Sequence, residues 1–515
     1  MFVSAIINEI SKVDINKGID SFSDLFTIFY KPGDNLNKSL YDYLKKHINK
    51  ETWDFLCIKI KHGIIKTLKN FENKEISDKI YDSYEIKTFK NIDVSVDKFN
   101  ANIYKLLFVL KFIGFIKTFT DYRGYFEPIN NYPKVFGLEL IFPKHPEFLI
   151  NNKEGINIFI KKIESIYDFL NLENINLKIT TEYSKFNQQT NKINPLIFTF
   201  ENSDIKRNEC LSSDTIINII AGDSKINGGF MDTGSRMEEM TVIKKYYLIL
   251  LLGIVNICFD ENEDFLNVID YNNNEVMVYV NACKNEKIKT NNTYYYNIKQ
   301  FDNIEKEYNK FYYAFASVVS NTKKNNYFDG VVNMINWGLG YFNGLFILKL
   351  YTFLKVIKHF NFKIIRWNIY NDKNIQEQIK SITVKHNDRL YFDSSITDLM
   401  LNDILCLLKS MVSELFTEKD IIIPFKKYIN ESVETRYINI RIEMEKLKNY
   451  HWKPDIKDNK IIYYRDNEKK YYNYLMPPMI ELPDNYEVCF IMHNYGIINV
   501  KSRYLYNFDE ILKPN

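Results

Sequence analysis

The sequence is poor in glycine, and the few glycines cluster. Only 17 of its 515 residues are glycine, about 3% where roughly 7% is usual. Eight of the 17 lie in two short windows, residues 222–234 and 330–344. A chain that uses glycine so sparingly retains it where the backbone takes a positive φ or approaches a ligand closely. These two windows are therefore the first candidates for a functional site.

Cysteine and histidine are scarce and scattered. The six cysteines form no C-x-x-C pair, and the seven histidines form no H-x-x-x-H pair. Zinc sites and thioredoxin-like redox sites depend on such close spacing, and disulfide frameworks belong mainly to small secreted domains. We expect reduced thiols, no metal site and no cofactor.

The sequence also lacks a dominant charge and a long apolar run. Lys and Arg number 68 against 65 Asp and Glu, and this net charge of +3 does not favour nucleic acid. The longest apolar run, Tyr246–Phe259, has 14 residues, short of the ~20 that span a bilayer, and favours a buried core helix. Asn8 and Glu9 come too early for a signal peptide. We expect an intracellular protein, cytoplasmic or nuclear, with no membrane partner and no direct recognition of DNA sequence.

Proline divides the chain into three regions. None of the 12 prolines lies between Pro195 and Pro424, so the middle of the chain is predicted to be one body of regular structure. Residues 1–195 are predicted to be a mainly helical accessory region, with loops between Pro128 and Pro146. Its predicted helices, from the spacing of apolar residues, are Leu40–Asn49, Asp54–Asn70, Asn102–Phe119 and Ile156–Leu170.

The last region, residues 416–515, is predicted to be a small β-rich addition. Lys460–Tyr464 and Lys470–Leu475 flank a polar turn and predict a hairpin. Two further strands are predicted at Glu487–His493 and Gly496–Val500.

The middle region, residues 196–415, has the pattern of an α/β domain. Each glycine window follows a predicted strand and precedes a predicted helix, one starting near Ser235 and the other Leu345–Phe360. Strand, loop, helix and strand in this order indicate parallel strands that bind ligands at their carboxyl ends. The predicted strands are Asp214–Ala221, Glu275–Val280, Gly330–Ile335 and Lys363–Tyr370.

The first window is compatible with two interpretations. Glycines between a strand and a helix let backbone N–H groups approach an anion at the helix N-terminus. Alternatively, Ser235 and Glu238 fit a capping box, and Glu239 is then an ordinary acid of the first helical turn.

The second window, taken alone, gives only a weak nucleotide signal. Its glycines follow a strand, but the acid that binds ribose is expected about 20 residues later. Asp372 lies 34 residues after Gly338, and the window has no Walker A lysine.

Together the two windows resemble those of the poly(ADP-ribose) glycohydrolases, whose catalytic domain is a macrodomain. That family has three glycines, seven further residues and then Q-E-E. Here residues 227–229 read N-G-G, and seven residues later residues 237–239 read M-E-E. The family's later loop, G-N-W-G-C-G-A-F-G-G-D, is matched by residues 335–345, which keep N-W-G-x-G-x-F-x-G. Its next strand ends in F-G-D, where residues 370–372 read Y-N-D. The resemblance covers about residues 210–400.

The resemblance implies a fold, an activity and a partner. The fold is α/β, a macrodomain-like mixed sheet flanked by helices. The activity is hydrolysis of the ribose–ribose O-glycosidic bonds of poly(ADP-ribose), and the partners are that polymer or ADP-ribosylated proteins. One glutamate serves as both general acid and general base. Glu239 matches it, and Glu238 matches the neighbour that helps hold the ribose hydroxyls.

The resemblance also implies a set of substrate-binding residues. Backbone of both loops approaches the diphosphate, Phe342 packs against the distal ribose, and Tyr370 offers a ring face to adenine. The implied substrate-binding residues are Asp223, Asn227, Gly228, Gly229, Asn336, Gly338, Gly340, Phe342 and Tyr370.

Several positions depart from the family pattern, and they leave two alternatives open. The first alternative is an inactive module that binds ADP-ribose or its polymer. The second is a structural or interaction protein on a former enzyme fold. The departures are Ile220 for Asp, Asp223 for Asn, Asn227 for Gly, Met237 for Gln and Leu345 for Asp.

Overall fold

A computed structural model gives the fold of most of the chain. The structure describes residues 1–31, 37–76, 92–116, 136–143, 146–182, 197–201, 215–222, 226–227, 229–231, 237–253, 265–281, 287–290, 293–322, 330–339, 344–357, 359–360, 362, 364–369, 375–376, 379–380, 382–386, 389–392, 401–402, 405, 415–416, 452–457, 460–465, 488–493 and 496–501.

The described residues form an α/β fold. Its helices are α1 (Val3–Ser11), α2 (Ile19–Thr27), α3 (Ser39–His47), α4 (Lys50–Lys69), α5 (Lys98–Phe112), α6 (Phe136–Ile141), α7 (Glu147–Ile150), α8 (Gly155–Asn171), α9 (Met237–Lys244), α10 (Leu250–Gly253), α11 (Ile304–Asn321) and α12 (Phe346–Ile357). Two 3₁₀ helices span Tyr246–Ile249 and Ile298–Asn303.

The strands are distributed along the whole chain. They are β1 (Asp93–Val96), β2 (Leu177–Thr180), β3 (Ile197–Glu201), β4 (Thr215–Gly222), β5 (Phe265–Asp270), β6 (Glu275–Asn281), β7 (Lys287–Thr290), β8 (Thr293–Asn297), β9 (Gly330–Met334), β10 (Ile364–Asn368), β11 (Thr383–His386), β12 (Arg389–Phe392), β13 (Leu415–Phe416), β14 (Trp452–Lys457), β15 (Lys460–Arg465), β16 (Val488–His493) and β17 (Gly496–Lys501).

The chain folds into two compact units, and neither is one continuous segment. The first unit comprises Met1–Ser184 and Ile217–Ala282, and the second comprises Lys185–Ile216 and Cys283–Asn515. The division of the chain at residues 195 and 415 stays a prediction.

The first unit joins its helices to strands in the order β1-β2-β5-β6-β4. β1 pairs with β2, β2 with β5, and β5 with β6, all antiparallel. The prediction of a mainly helical N-terminal region is confirmed for the described residues, although β1 and β2 were not predicted. The proline-containing passage predicted as loop also holds α6 and α7. The prolines do not interrupt these helices, because Pro143 follows α6 and Pro146 is the N-cap residue of α7.

Aromatic rings fill much of the core of the first unit. The ring of Phe26 meets those of Phe22 and Phe112 edge-on, with centroids 4.9 and 4.7 Å apart. Such edge-to-face pairs contribute about 0.5–1.5 kcal/mol each beyond the area they bury. The core reaches Phe230 and Met231, which lie in the loop after β4. The first glycine window is therefore anchored in the core of its unit.

The second unit has the strand order β9-β10-β3-β12-β11. β10 lies parallel to both β9 and β3, and β12 lies antiparallel to β3 and β11. Because α12 connects the parallel strands β9 and β10, the predicted strand–helix–strand unit is confirmed. The fold class is accordingly α/β with both parallel and antiparallel strand pairs.

The β-rich character predicted for the last hundred residues is confirmed for the part that the structure describes. β14 pairs with β15, and β16 pairs with β17, both antiparallel. The hairpin partner of Lys460–Arg465 is therefore Trp452–Lys457, and the predicted partner, Lys470–Leu475, lies outside the described residues.

The apolar run after the first window is not one helix. α9 ends at Lys244, and a 3₁₀ helix and the short α10 follow it. The predicted long helix from about Ser235 is wrong, although Leu248–Gly253 are buried as expected. Over the described ranges, no helix combines the length and apolarity that crossing a membrane requires.

Candidate active site

The first loop turns through a left-handed residue just before its glycines. Asn227 has φ 63°, a backbone conformation that favours glycine and that asparagine adopts more readily than most side chains. The N–H of Phe230 donates to the carbonyl oxygen of Asn227 at 3.0 Å, which closes a turn. Asparagine at this position therefore holds a backbone conformation that glycine would adopt equally well.

The side chain of Asn227 is fully buried and makes hydrogen bonds within the protein. Its Nδ2 donates to the carbonyl oxygen of Leu248, and its Oδ1 accepts from the hydroxyl of Tyr279, both at 2.7 Å. The amide therefore fastens the loop to β6 and to the 3₁₀ helix after α9. Sequence reasoning did not single out Tyr279 or Leu248, because neither lies in a glycine window.

The two adjacent acids lie in the first turn of α9. Glu238 and Glu239 are 6% and 5% exposed. The backbone N–H of Gly229 donates to Oε1 of Glu239 at 2.9 Å. The structure therefore brings together two of the predicted site residues, a loop glycine and the predicted acid. This bond fixes the orientation of the Glu239 carboxyl group.

Glu238 packs against the end of β4. A Cβ built on Gly222 would lie 2.0 Å from Oε2 of Glu238 and 2.6 Å from its Cδ. Any larger residue at position 222 would force this carboxyl group to move. Burial raises the pKa of Tyr279 well above its usual value, and the charge of nearby Glu238 raises it further. Tyr279 therefore stays a protonated hydrogen-bond donor.

We expect Gly222→Ala to lower the free energy of unfolding by about 1–3 kcal/mol, the usual effect of overpacking. The added methyl group would collide with the carboxyl group of Glu238 and displace it. Urea denaturation measures the loss. In a Glu238→Ala background the same substitution should be nearly neutral, because the colliding group is gone. An equal loss in both backgrounds would show that the contact is not the cause.

A buried ion pair holds the far end of α9. Nζ of Lys245, the residue after α9, pairs with Oε2 of Glu275. Glu275 is 4% exposed. Nδ2 of Asn218 donates a hydrogen bond to Oε1 of the same carboxylate at 2.7 Å. The hydroxyl of Tyr247 lies 3.5 Å from Oε2. These contacts tie the segment after α9 to β4 and β6, so they help to set where the helix that carries both acids lies.

The second loop begins after β9 in the second unit. Asn336 accepts a hydrogen bond at Oδ1 from Nε1 of Trp367 at 2.9 Å. Gly338 has φ 67°, and its carbonyl oxygen accepts from the N–H of Gly344 at 2.6 Å. The loop therefore returns on itself and is closed at its base.

A buried carboxylate fixes Trp337 of the second loop. Oε2 of Glu307 accepts from Nε1 of Trp337 at 3.1 Å, and its Oε1 lies 3.1 Å from Nζ of Lys349 and 3.4 Å from Nζ of Lys310. Sequence reasoning missed this group. The spacing of Glu307 and Lys310 is visible in the sequence, but it is equally typical of an exposed helical pair.

Five predicted substrate-binding residues lie outside the described residues, as does Ser235 of the predicted capping box. They are Asp223, Gly228, Gly340, Phe342 and Tyr370. Within the described ranges, no group of three or more His, Cys, Asp or Glu side chains converges in a way that could hold a metal ion.

Comparison with known proteins adds no relative. No protein-family model matches this sequence, and none of the curated proteins matches it. The resemblance therefore rests on the two glycine windows and on their order along the chain.

Proposed function

We propose that the protein hydrolyses ribose–ribose O-glycosidic bonds of poly(ADP-ribose) and releases ADP-ribose, using a macrodomain-like α/β fold. One observation carries the proposal. Glu239, 5% exposed at the start of α9, accepts a hydrogen bond from the N–H of Gly229 in the loop that follows β4. An oriented carboxyl group beside a glycine loop suits cleavage of a sugar bond next to a diphosphate.

In the proposed reaction Glu239 acts twice. It first donates its proton to the oxygen of the leaving ribose as the glycosidic bond breaks through an oxocarbenium-like transition state. The resulting carboxylate then accepts a proton from the attacking water, which adds to the sugar and restores the acid. Glu238 binds the ribose hydroxyl groups. The products are ADP-ribose and a shortened polymer.

The fold and the first loop support this assignment in different ways. The mixed sheet and the β9–α12–β10 unit are compatible with a macrodomain-like body. The first glycine loop precedes the N-terminus of α9, and a helix N-terminus suits a phosphate. The roles of Asn336, Gly338, Gly340, Phe342 and Tyr370 stay predictions from the resemblance.

A second candidate is a protein that binds ADP-ribose without turning it over. Met237 stands where the family has Gln, and Ile220 stands where it has Asp. Both changes remove polar groups from the proposed site. Loss of the amide beside the paired acids favours binding without turnover.

The deciding experiment is incubation of the full chain with labelled poly(ADP-ribose), followed by chromatography of released ADP-ribose and by a filter-binding assay for the polymer. Release supports the glycohydrolase. Binding without release would support the second candidate instead. Neither binding nor release would overturn both and favour a structural or interaction role.

A further inference from the structure

The first glycine loop is fastened to α9 and its continuation at two points. Two residues apart in the loop, Gly229 bonds to Glu239 near the start of α9, and Asn227 bonds to Leu248 in the 3₁₀ helix beyond its end. The loop therefore contacts both α9 and the 3₁₀ helix that follows it. A shift of Asn227 would therefore also shift the N–H that holds the acid.

Tyr279 fixes Asn227 from the opposite side. Its hydroxyl donates to Oδ1 of Asn227 at 2.7 Å, and its side chain is only 1% exposed. A buried hydroxyl that loses its acceptor is costly to leave unsatisfied, so this bond strongly favours one position of the Asn227 amide. The amide in turn has both its polar atoms engaged, which leaves it little freedom to rotate.

We propose that Tyr279 and Asn227 are positioning residues that hold the Gly229 N–H against the carboxyl group of Glu239. The resemblance implied that Asn227 binds substrate, but its side-chain amide is bonded to Leu248 and Tyr279, so in this assignment neither Asn227 nor Tyr279 touches the substrate. Glycine at position 227 would allow the same left-handed backbone but would make neither side-chain bond. The position of the Gly229 N–H therefore depends on both side chains. The effect of this pair on catalysis rests on the proposed function.

The first arm of the test measures the loop directly and needs no activity. Because the chain has only 17 glycines, ¹⁵N-glycine labelling gives a simple amide spectrum, and loss of a peak in Gly229→Ala assigns Gly229. In Tyr279→Phe and in Asn227→Gly, the protection of the Gly229 amide against hydrogen exchange should fall at least about tenfold. Tyr104→Phe, which removes a hydroxyl elsewhere in the same unit, should leave it unchanged.

The second arm measures kcat and KM for poly(ADP-ribose). Each single variant should lower kcat about tenfold with KM nearly unchanged, because an acid displaced by a fraction of an ångström still lies beside bound substrate. The double variant should be no worse than Asn227→Gly alone, since Asn227→Gly already removes the bond to Tyr279. A general loosening of the fold would instead change KM and add across the two sites.

The outcomes separate this inference from the proposed function. Unchanged protection of Gly229 in Tyr279→Phe would overturn the positioning role, whatever the activity. Reduced protection with unchanged kcat would overturn its catalytic consequence. If the wild-type protein releases no ADP-ribose, the proposed function fails, while the exchange arm still decides whether Tyr279 and Asn227 hold the loop against Glu239.

Discussion

Under the proposed glycohydrolase function, replacing Glu239 by Gln should reduce the release of ADP-ribose by about 10²–10⁴-fold, the range that general acid–base catalysis contributes. An amide has the shape of the carboxyl group, and its oxygen can still accept from the N–H of Gly229, which is 2.9 Å from Oε1 in the native protein. It has no proton to give to the leaving oxygen. The loss should therefore fall on kcat, and the affinity for ADP-ribose should change little.

The matched control is Glu305→Gln. Glu305 also lies in the first turn of a helix, α11, but it is exposed and belongs to neither glycine window. Its substitution should leave the rate unchanged. A Glu239→Gln protein that keeps the wild-type rate would show that another group supplies the proton.

Replacing Lys245 by Met should lower the free energy of unfolding by about 3–5 kcal/mol, the usual effect of removing one partner from a buried ion pair. The side chains of Lys245 and Glu275 are only 12% and 5% exposed. Without the ammonium group, the carboxylate of Glu275 stays in a poorly solvated place with weaker compensation from Asn218 and Tyr247. Urea denaturation should give a lower midpoint.

Two comparisons isolate the cause of that loss. Nζ of Lys12 lies 2.6 Å from Oε1 of Glu9, and the two side chains are 61% and 45% exposed. Because this ion pair is exposed, Lys12→Met should change the free energy of unfolding by less than about 1 kcal/mol. The double variant Lys245→Met, Glu275→Met should recover most of the lost stability, because the isolated buried charge is gone. If the double variant is as unstable as Lys245→Met alone, charge burial is not the reason.

The sequence predicted best those features that depend on neighbouring residues. The predicted helices Asp54–Asn70 and Ile156–Leu170 agree with α4 and α8 to within a few residues. The second glycine window, between a predicted strand and a predicted helix, led to α12 and to the parallel pair of β9 and β10. These features can be predicted from the sequence because periodicity and turn chemistry depend only on residues that are close together in the chain.

The features that the sequence did not predict depend on residues far apart in the chain. Tyr279 and Asn227 are separated by 52 positions, and Trp337 and Glu307 by 30. β1 and β2 have four residues each and derive their order from pairing, not from a strong pattern of their own. The apolar run after α9 could not distinguish one helix from a 3₁₀ helix followed by a short α-helix, because both bury the same side chains.

The discontinuity of the first unit has a consequence for how the protein is made. β2 pairs with β5, so Thr180 leaves the ribosome well before its partner Asn267 exists. At roughly 5–20 residues per second, the delay is on the order of seconds. Until β5 is synthesised, the edge of β2 that pairs with it stays exposed, and an exposed strand edge is a template for wrong pairing. A fragment that stops at residue 195 would keep that edge permanently, so expression of the N-terminal region should include the chain as far as Ala282.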